Sequence, residues 1–410
     1  MSGLRDLRIG YVPCSKSFNR PGDRRRFCSY AKKRNIRFET ARCSEAYDVV
    51  VVTAIGDISV WSEYSRGKAK IIYDLVDSYL AVPKFDPKAL FRGLAKYAAG
   101  QNKHLLWNYH AGIERMCQRA DAVICATIEQ REQIYPHCQN VHIILDFHDT
   151  VVRTSKKDYS AGDIFNFVWE GLPGNLAFLS EIRDVLLDLR KQYSIAIHAI
   201  TDLHYGKYLG GRFGQRRTED DARKIFEPLY LYEWNEATCS QIICACDLAL
   251  IPVPVQDPLC SGKPENKLLL FWRMGMPVVV SATPAYARAM QQCGLSMTCQ
   301  SPADWQETLE RYILEESARH DAGQKGRAFA EQCYGEGRMV EQWDAVFDSV
   351  LAKPKGLQGS SSSQPCNAGP YFSRASPALE RRDREFTSAE SRVKQMYSLR
   401  RLSVGSSFLA

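Results

Sequence analysis

The 410-residue chain lacks the features that would place it in several large classes. No apolar run approaches the roughly 18 residues needed to cross a bilayer; the longest, DVVVVTA from Asp48 and LALIPVPV from Leu248, are less than half of that. The opening residues, MSGLRDLRIGYV, carry no apolar stretch of the secretory kind, so the expected location is cytoplasmic. Fourteen cysteines are present, yet none form a C-x-x-C pair, and no four ligands cluster at zinc spacing. Cys125, Cys244 and Cys246 fall inside apolar runs and read as small buried hydrophobes of a reducing compartment. No G-x-G-x-x-G follows the first strand, which argues against a dinucleotide dehydrogenase. A basic body is also missing. The net charge is +7, but residues from Lys353 onward hold ten Lys/Arg against four Asp/Glu, so the rest of the chain is close to neutral. A nucleic-acid-binding body would carry the basic excess itself, and nucleic acid is not expected as a partner.

What is present is an ordinary globular composition, 45% apolar and 25% charged, in a chain long enough for two domains. Short β-branched runs alternate with helical patterns. LRIGYV, DVVVVTA, AKIIYDLVD, ADAVICAT and VHIILDF read as strands covered on both faces. Asp23 is the expected cap of the helix RRRFCSYAKKRNI. A long helix is expected over about 87–119, with Leu94, Tyr97 and Leu106 among its buried positions. The pattern breaks in the polar stretch 150–162 and resumes with IFNFVWEG, a helix capped by Asn175, YSIAIHAIT and CDLALIPV. The fold class is therefore α/β, with two Rossmann-like, doubly wound domains facing a cleft. Residues 1–150 form the first domain, 163–335 the second, and 336–353 a last helix that can cross back to the first. Residues 354–410 are a low-complexity basic tail, read as disordered; it is either a solubilising extension or an amphipathic contact to an anionic membrane or a partner.

One stretch carries the clearest chemistry, Cys246 to Met290: a buried strand, a polar loop, a helix and a second buried strand. Pro264 suits a first helical turn, which puts Glu265, Asn266 and Lys267 at the helix start. Free N–H groups and the helix dipole there favour a phosphate, and Lys263 and Lys267 add positive charge. Glu265 can accept hydrogen bonds from sugar hydroxyls; the bland reading of the same residues is a solvated helical turn. In the first domain, Asp77 follows the strand IIYD, as a general base or simply a polar strand end. Arg24 and Arg25 open a helix, as phosphate or acceptor ligands or as a solvated basic face.

The segments DLALIP, NKLLLFWRMG and MPVVVS resemble the donor-binding unit of GT-B-fold glycosyltransferases of the group-1, retaining type. WEGLPGNLAFL resembles the first strand and glycine loop of that family's donor domain, and ADAVICAT the end of its acceptor domain. The resemblance implies a nucleotide-sugar donor held by Gly171, Gly174, Trp234, Lys263, Glu265, Asn266 and Lys267, with Trp234 bordering the base and the glycines admitting the diphosphate. It implies transfer, with retention, to the hydroxyl of a glycan, a lipid-linked sugar or another acceptor in polysaccharide or glycoconjugate synthesis. Peripheral membrane contact would run through the basic tail. One of Lys207, Arg212, Arg216 and Arg217 would neutralise the leaving diphosphate. No Asp-x-Asp occurs in the chain, so the reaction is expected to need no metal and no cofactor. The sequence departs from the family at two positions: Leu270 and Gly262 stand where glutamates are usual. A non-catalytic nucleotide-sugar or glycan-binding relative and a nucleotide-sugar epimerase of the same fold are the alternatives.

Overall fold

The structure, a computed structural model, describes residues 4, 6–65, 69–206 and 214–352. The tail, Lys207 and Arg212 lie outside the described residues. The first half builds a six-stranded sheet from β1 (Ile9–Val12), β2 (Glu39–Thr40), β3 (Val49–Thr53), β4 (Lys70–Asp74), β5 (Ala122–Cys125) and β6 (Val141–Ile143). They lie in the order β2-β1-β3-β4-β5-β6, all parallel. The valine run of β3 shows why no hydrophobic alternation is visible in the sequence. Val49 and Val51 enter one core with Ile9, Ile72 and Ile124, while Val50 and Val52 enter another with Ile71 and Val123. Both faces of the strand are covered, so every position must be apolar.

The second half adds β7 (Phe165–Glu170), β8 (Ile195–Thr201), an antiparallel ribbon of β9 (His204–Gly206) and β10 (Gln215–Arg217), then β11 (Leu229–Glu233), β12 (Leu248–Ile251), β13 (Val278–Ser281) and β14 (Thr298–Cys299). Its main sheet runs β11-β8-β7-β12-β13-β14, all parallel. In order of appearance this is 3-2-1-4-5-6, the doubly wound arrangement whose strand order reverses between β7 and β12. Ligands bind at the carboxyl ends of the strands at such a reversal.

The polar stretch 150–162 has no helix or strand, but it is pinned to the second half. Lys156 Nζ donates to the Cys246 carbonyl at 2.7 Å, the Tyr159 hydroxyl donates to the Gly275 carbonyl at 2.7 Å, and the buried Arg319 guanidinium donates to the Tyr159 carbonyl. The last helix, Glu336–Leu351, returns to the first half. Trp343 stacks on Tyr30 with ring centroids 5.4 Å apart, and the Tyr30 hydroxyl donates to Asp344 at 2.9 Å.

Several local expectations are corrected. Asp23 does not cap the basic helix. It is buried and accepts from the Tyr11 hydroxyl and the Cys14 and Ser15 backbone, which fixes the loop after β1. Pro21 begins a short helix, Pro21–Arg24, and Phe27–Arg34 forms the next. Asn175 lies inside a 3₁₀ segment, Pro173–Ile182, ahead of the helix Arg183–Arg190. The long helix over 87–119 is two helices, Pro87–Ala98 and Tyr109–Arg119. Gly100, at φ +68°, ends the first region and Asn108 caps the second by accepting from the Ala111 N–H. Leu94 and Tyr97, expected inside, are exposed.

Candidate functional site

β7 is apolar apart from Asn166 until its last residue, Glu170, whose carboxylate is buried at the strand-order reversal. Three groups converge on it. The Trp234 indole, one residue past β11, donates to Glu170 Oε1 at 3.0 Å. Lys267, at the start of the helix Asn266–Arg273, donates to the Glu170 carbonyl and lies 3.9 Å from Oε2. Arg25 Nη2, from the first half, is 3.9 Å from Oε1. Beside it the Arg24 guanidinium stacks 3.8 Å from the Trp234 ring centroid. Residues of both halves thus meet at the carboxyl end of a central strand.

Glu170 faces Arg25 and Lys267, and Arg24 alongside also lies within the field of Glu236 and Asp202. Arg24 Nε and Arg25 Nε and Nη2 are buried and lack a hydrogen-bond partner. Burial and the Arg25 charge depress the Arg24 pKa, and burial pushes the Lys267 ammonium down to about 8, although 23% of its side-chain surface remains open. Buried donors normally find acceptors. Three guanidinium nitrogens without a hydrogen-bond partner beside a destabilised ammonium make an arrangement that can accept an anion.

Gly171 contributes by its lack of a side chain. A Cβ there would lie 2.6 Å from Lys267 Nζ and 2.8 Å from the buried Trp169 ring, so any larger residue displaces the lysine. Gly174 is different: it is exposed, and a Cβ would meet nothing within 4 Å. Lys263 Nζ sits 5.4 Å from the Phe178 ring centroid, close to the same loop.

Other residues singled out in the sequence take different places. Pro264 precedes the helix, Glu265 occupies its cap position without a side-chain cap bond, and the loop before it contains a further short helix, Pro258–Ser261, capped by Asp257. The Glu265 carboxyl turns into the protein. It is 7% exposed, Oε1 accepts a long 3.4 Å bond from the Tyr334 hydroxyl, Oε2 has no partner, and burial raises its pKa to about 7. Asn266 Oδ1 accepts from the Asp146 N–H at 2.9 Å and so ties the two halves together. Asp77 is exposed three residues past β4 and accepts from the Tyr79 hydroxyl at 3.1 Å. Its neighbour Ser78 crosses to the second half, donating to the Gly262 carbonyl at 2.9 Å. Arg216 is paired with Asp221 and Arg217 with Glu219.

The two positions that lack glutamate are closed. Leu270 is buried, and a Cβ on Gly262 would lie 2.6 Å from both Cβ and Oγ of Ser78. The halves touch where a glutamate side chain would otherwise project.

Sequence inspection passed over Glu170, although an acidic residue ending an apolar strand was a usable signal. It also missed the network under Arg26. This fully buried guanidinium donates to Asp74 at 2.6–3.0 Å and to Asp146 at 3.1 Å. A cavity of about 100 Å³ lies between the halves, lined by Tyr79, Arg92, Tyr109 and His110 on one side and Asp257 and Pro258 on the other. A larger one, about 500 Å³, lies along the linker at His148, Arg273 and Met339 and shares no residue with the charged cluster.

No protein-family model and no curated protein matches the sequence. Solved structures do match the fold. TarM superposes with a TM-score of 0.52 and 13% identity over 73% of this chain and 54% of that one. A point mutant of S. aureus TarM, in complex with fondaparinux, α-GlcNAc-glycerol and UDP, gives 0.50 and 11% over 73% and 55%. Sucrose-phosphate synthase from Thermosynechococcus elongatus gives 0.51 and 11% over 83% and 80%. The chain spans about half the length of TarM and most of the synthase. The fold is the GT-B fold, two doubly wound sheets in one chain, as in these structures.

Proposed function

We propose that the protein is a glycosyltransferase that takes a sugar from a nucleotide-sugar donor bound at the carboxyl end of β7. The observation that carries this reading is the set of unmatched buried guanidinium nitrogens of Arg24 and Arg25 facing Lys267 across Glu170, at the strand-order reversal of a GT-B fold. A diphosphate supplies the acceptors those donors lack. Arg25 and Lys267 would bind it from opposite sides, Lys263 would extend the positive charge, Gly171 would let the backbone approach, and Trp234 would border the base. Stabilising the leaving diphosphate with fixed cations is the main catalytic contribution of such a site.

The acceptor hydroxyl would enter from the first half, with Asp77 beside the Ser78–Gly262 crossing as its general base. The acceptor class is a glycan, lipid-linked or other hydroxyl compound of glycoconjugate synthesis. The cations take the role of a metal in this reading, so chelators are expected to leave transfer unchanged.

A thermal-shift panel of nucleoside diphosphates and nucleotide sugars tests the reading, because a ligand that binds only the folded state raises its melting temperature. At least one nucleotide should raise the midpoint in the full-length protein, and Arg25→Ala and Lys267→Ala should abolish that rise. No shift with any nucleotide would overturn the proposal. The second reading is a nucleotide-sugar binder without transferase activity. The closed positions at Gly262 and Leu270 favour it, and donor binding without turnover over a panel of acceptors would select it.

A further inference from the structure

The cavity of about 500 Å³ beside the linker is large enough for an organic metabolite, since small-molecule pockets run from roughly 300 to 1,000 Å³. Its walls come from three places: the linker, Arg273 at the end of the helix Asn266–Arg273, and the junction of the helices Glu316–Tyr334 and Glu336–Leu351. The linker and the last helix both cross between the halves, so both crossings line one cavity. Its three carboxylates are already matched. Lys33 Nζ, from the first half, pairs with Asp149 at 2.8 Å and with Glu336, and Arg327 Nε donates to Glu331 at 2.8 Å. Two cations are not. Arg273 donates to His148 Nδ1 at 2.8 Å, to the Tyr334 carbonyl at 2.6 Å and to Met339 Sδ at 3.5 Å, all uncharged partners. Burial depresses its pKa, and Asp149, Asp146 and Glu336 act on it only beyond ion-pair distance. Arg153, exposed at the rim, donates from Nε to the Thr150 carbonyl at 3.0 Å and pairs with no carboxylate among the described residues. Because Arg273 donates to Nδ1, the neutral His148 carries its proton on Nε2, and that buried donor has no partner.

We propose that this cavity is a binding site for a compact organic anion, a phosphomonoester or a polycarboxylate, whose charged group pairs with Arg273 and Arg153. Charge selects the class. A cationic ligand would have to take Asp149, Glu331 or Glu336 from the partner each already has. An apolar ligand would leave Arg273 without a counter-ion in a still less polar setting, which costs free energy. A phosphate or carboxylate instead fits the fork of donors that a guanidinium presents. The hydroxyls of Thr154 and Ser155, in the same wall, can donate to its remaining oxygens. The site shares no residue with the cluster around Glu170. This inference does not depend on the proposed transferase activity.

The test is calorimetric titration of the full-length protein with glycerol 3-phosphate, citrate and inorganic phosphate. The first two separate a phosphate from a carboxylate preference, and the third measures the bare ion. At least one of the organic anions should bind saturably and more tightly than inorganic phosphate, because the cavity exceeds the size of a single phosphate. Arg153→Glu and Ser155→Asp each place a negative charge at the cavity from a position outside the core. Each should weaken binding by about tenfold or more, the worth of a charged hydrogen bond. Arg25→Ala, at the other charged cluster, should leave it within about twofold. Both cavity variants should melt like the wild type; should one misfold, the other carries the test, with Arg153→Ala as a milder third. The proposal is overturned if neither organic anion binds, or if the cavity variants bind like wild type. It is equally overturned if Arg25→Ala removes the binding, which would assign it to the carboxyl end of β7. Anion binding here without a nucleotide shift defeats only the functional reading, and the reverse defeats only this inference.

Discussion

Two clusters of buried charge involve neighbouring residues at the junction of two short helices and behave in opposite ways. Arg26 is matched. Asp74 and Asp146 take its donors, a carbonyl takes another, and the two carboxylates outweigh the burial that would by itself lower the arginine's pKa. Arg24 and Arg25, two and one residues earlier, point across to Trp234 and Glu170 and keep nitrogens without a hydrogen-bond partner. A buried charge with all its partners is scaffolding, and one that lacks them is, in the proposed reading, available to a ligand. Three adjacent arginines are indistinguishable in composition; only their surroundings assign them different work.

The sharpest way to break this contrast is at Arg26. Arg26→Ala leaves two buried carboxylates unpaired and should cost about 3–5 kcal/mol of stability, read by denaturant unfolding. Arg25→Ala should leave stability within about 1 kcal/mol of wild type and weaken nucleotide binding by roughly 10- to 100-fold, the worth of a charged hydrogen bond. Equal stability losses from the two substitutions would erase the distinction between the clusters.

The proton balance of Lys267 sharpens the ligand side. Its folded-state pKa of about 8 lies below the ordinary lysine value because burial disfavours the ammonium. Nucleotide affinity should therefore be level below pH 8 and fall above it, by up to about tenfold per pH unit, as the free site loses its proton. A titration that stays flat to pH 9.5 would remove Lys267 from the anion site.

Glu265 offers a control outside the ligand cluster. Burial raises its folded-state pKa to about 7, so between the unfolded value near 4.5 and pH 7 the folded chain holds the extra proton. Stability from this group is complete below pH 4.5 and is lost as pH rises through 7. Glu265→Gln should consequently gain on the order of 1 kcal/mol at pH 8 and nothing at pH 4, without changing nucleotide affinity. A large loss of nucleotide binding would return Glu265 to the donor site.

The two loop glycines give the smallest test. Gly171→Ala must displace Lys267 or Trp169 and should reduce the nucleotide shift, whereas Gly174→Ala enters open space and should change stability by less than about 1 kcal/mol.

Much of the architecture was legible because both sheets are parallel and covered on both faces. The continuous apolar runs of β3, β5, β12 and β13, spaced by helical patterns, could serve no other purpose. The helix start at Asn266 was readable to within two residues. Side-chain direction was less accessible. Helical periodicity marks one face of Pro87–Ala98 as apolar, but it does not say whether that face meets the core or solvent. The Gly93–Leu106 contact decided it, and Leu94 and Tyr97 fell outside. The direction of Glu265 was equally out of reach: its carboxyl turns inward, where Oε1 accepts from the hydroxyl of Tyr334, 69 residues further on.

By itself the sequence determined the two α/β halves and the strand–loop–helix unit that leads into Asn266. These follow from local hydrophobic pattern and turn residues, which act over short separations. Tertiary structure alone decided which charges are matched. Glu170 meets Trp234, Lys267 and Arg25 from separations of 64, 97 and 145 residues. Burial and partner geometry, which govern the energy of a charge far more than its identity does, exist only once the two halves have been brought together.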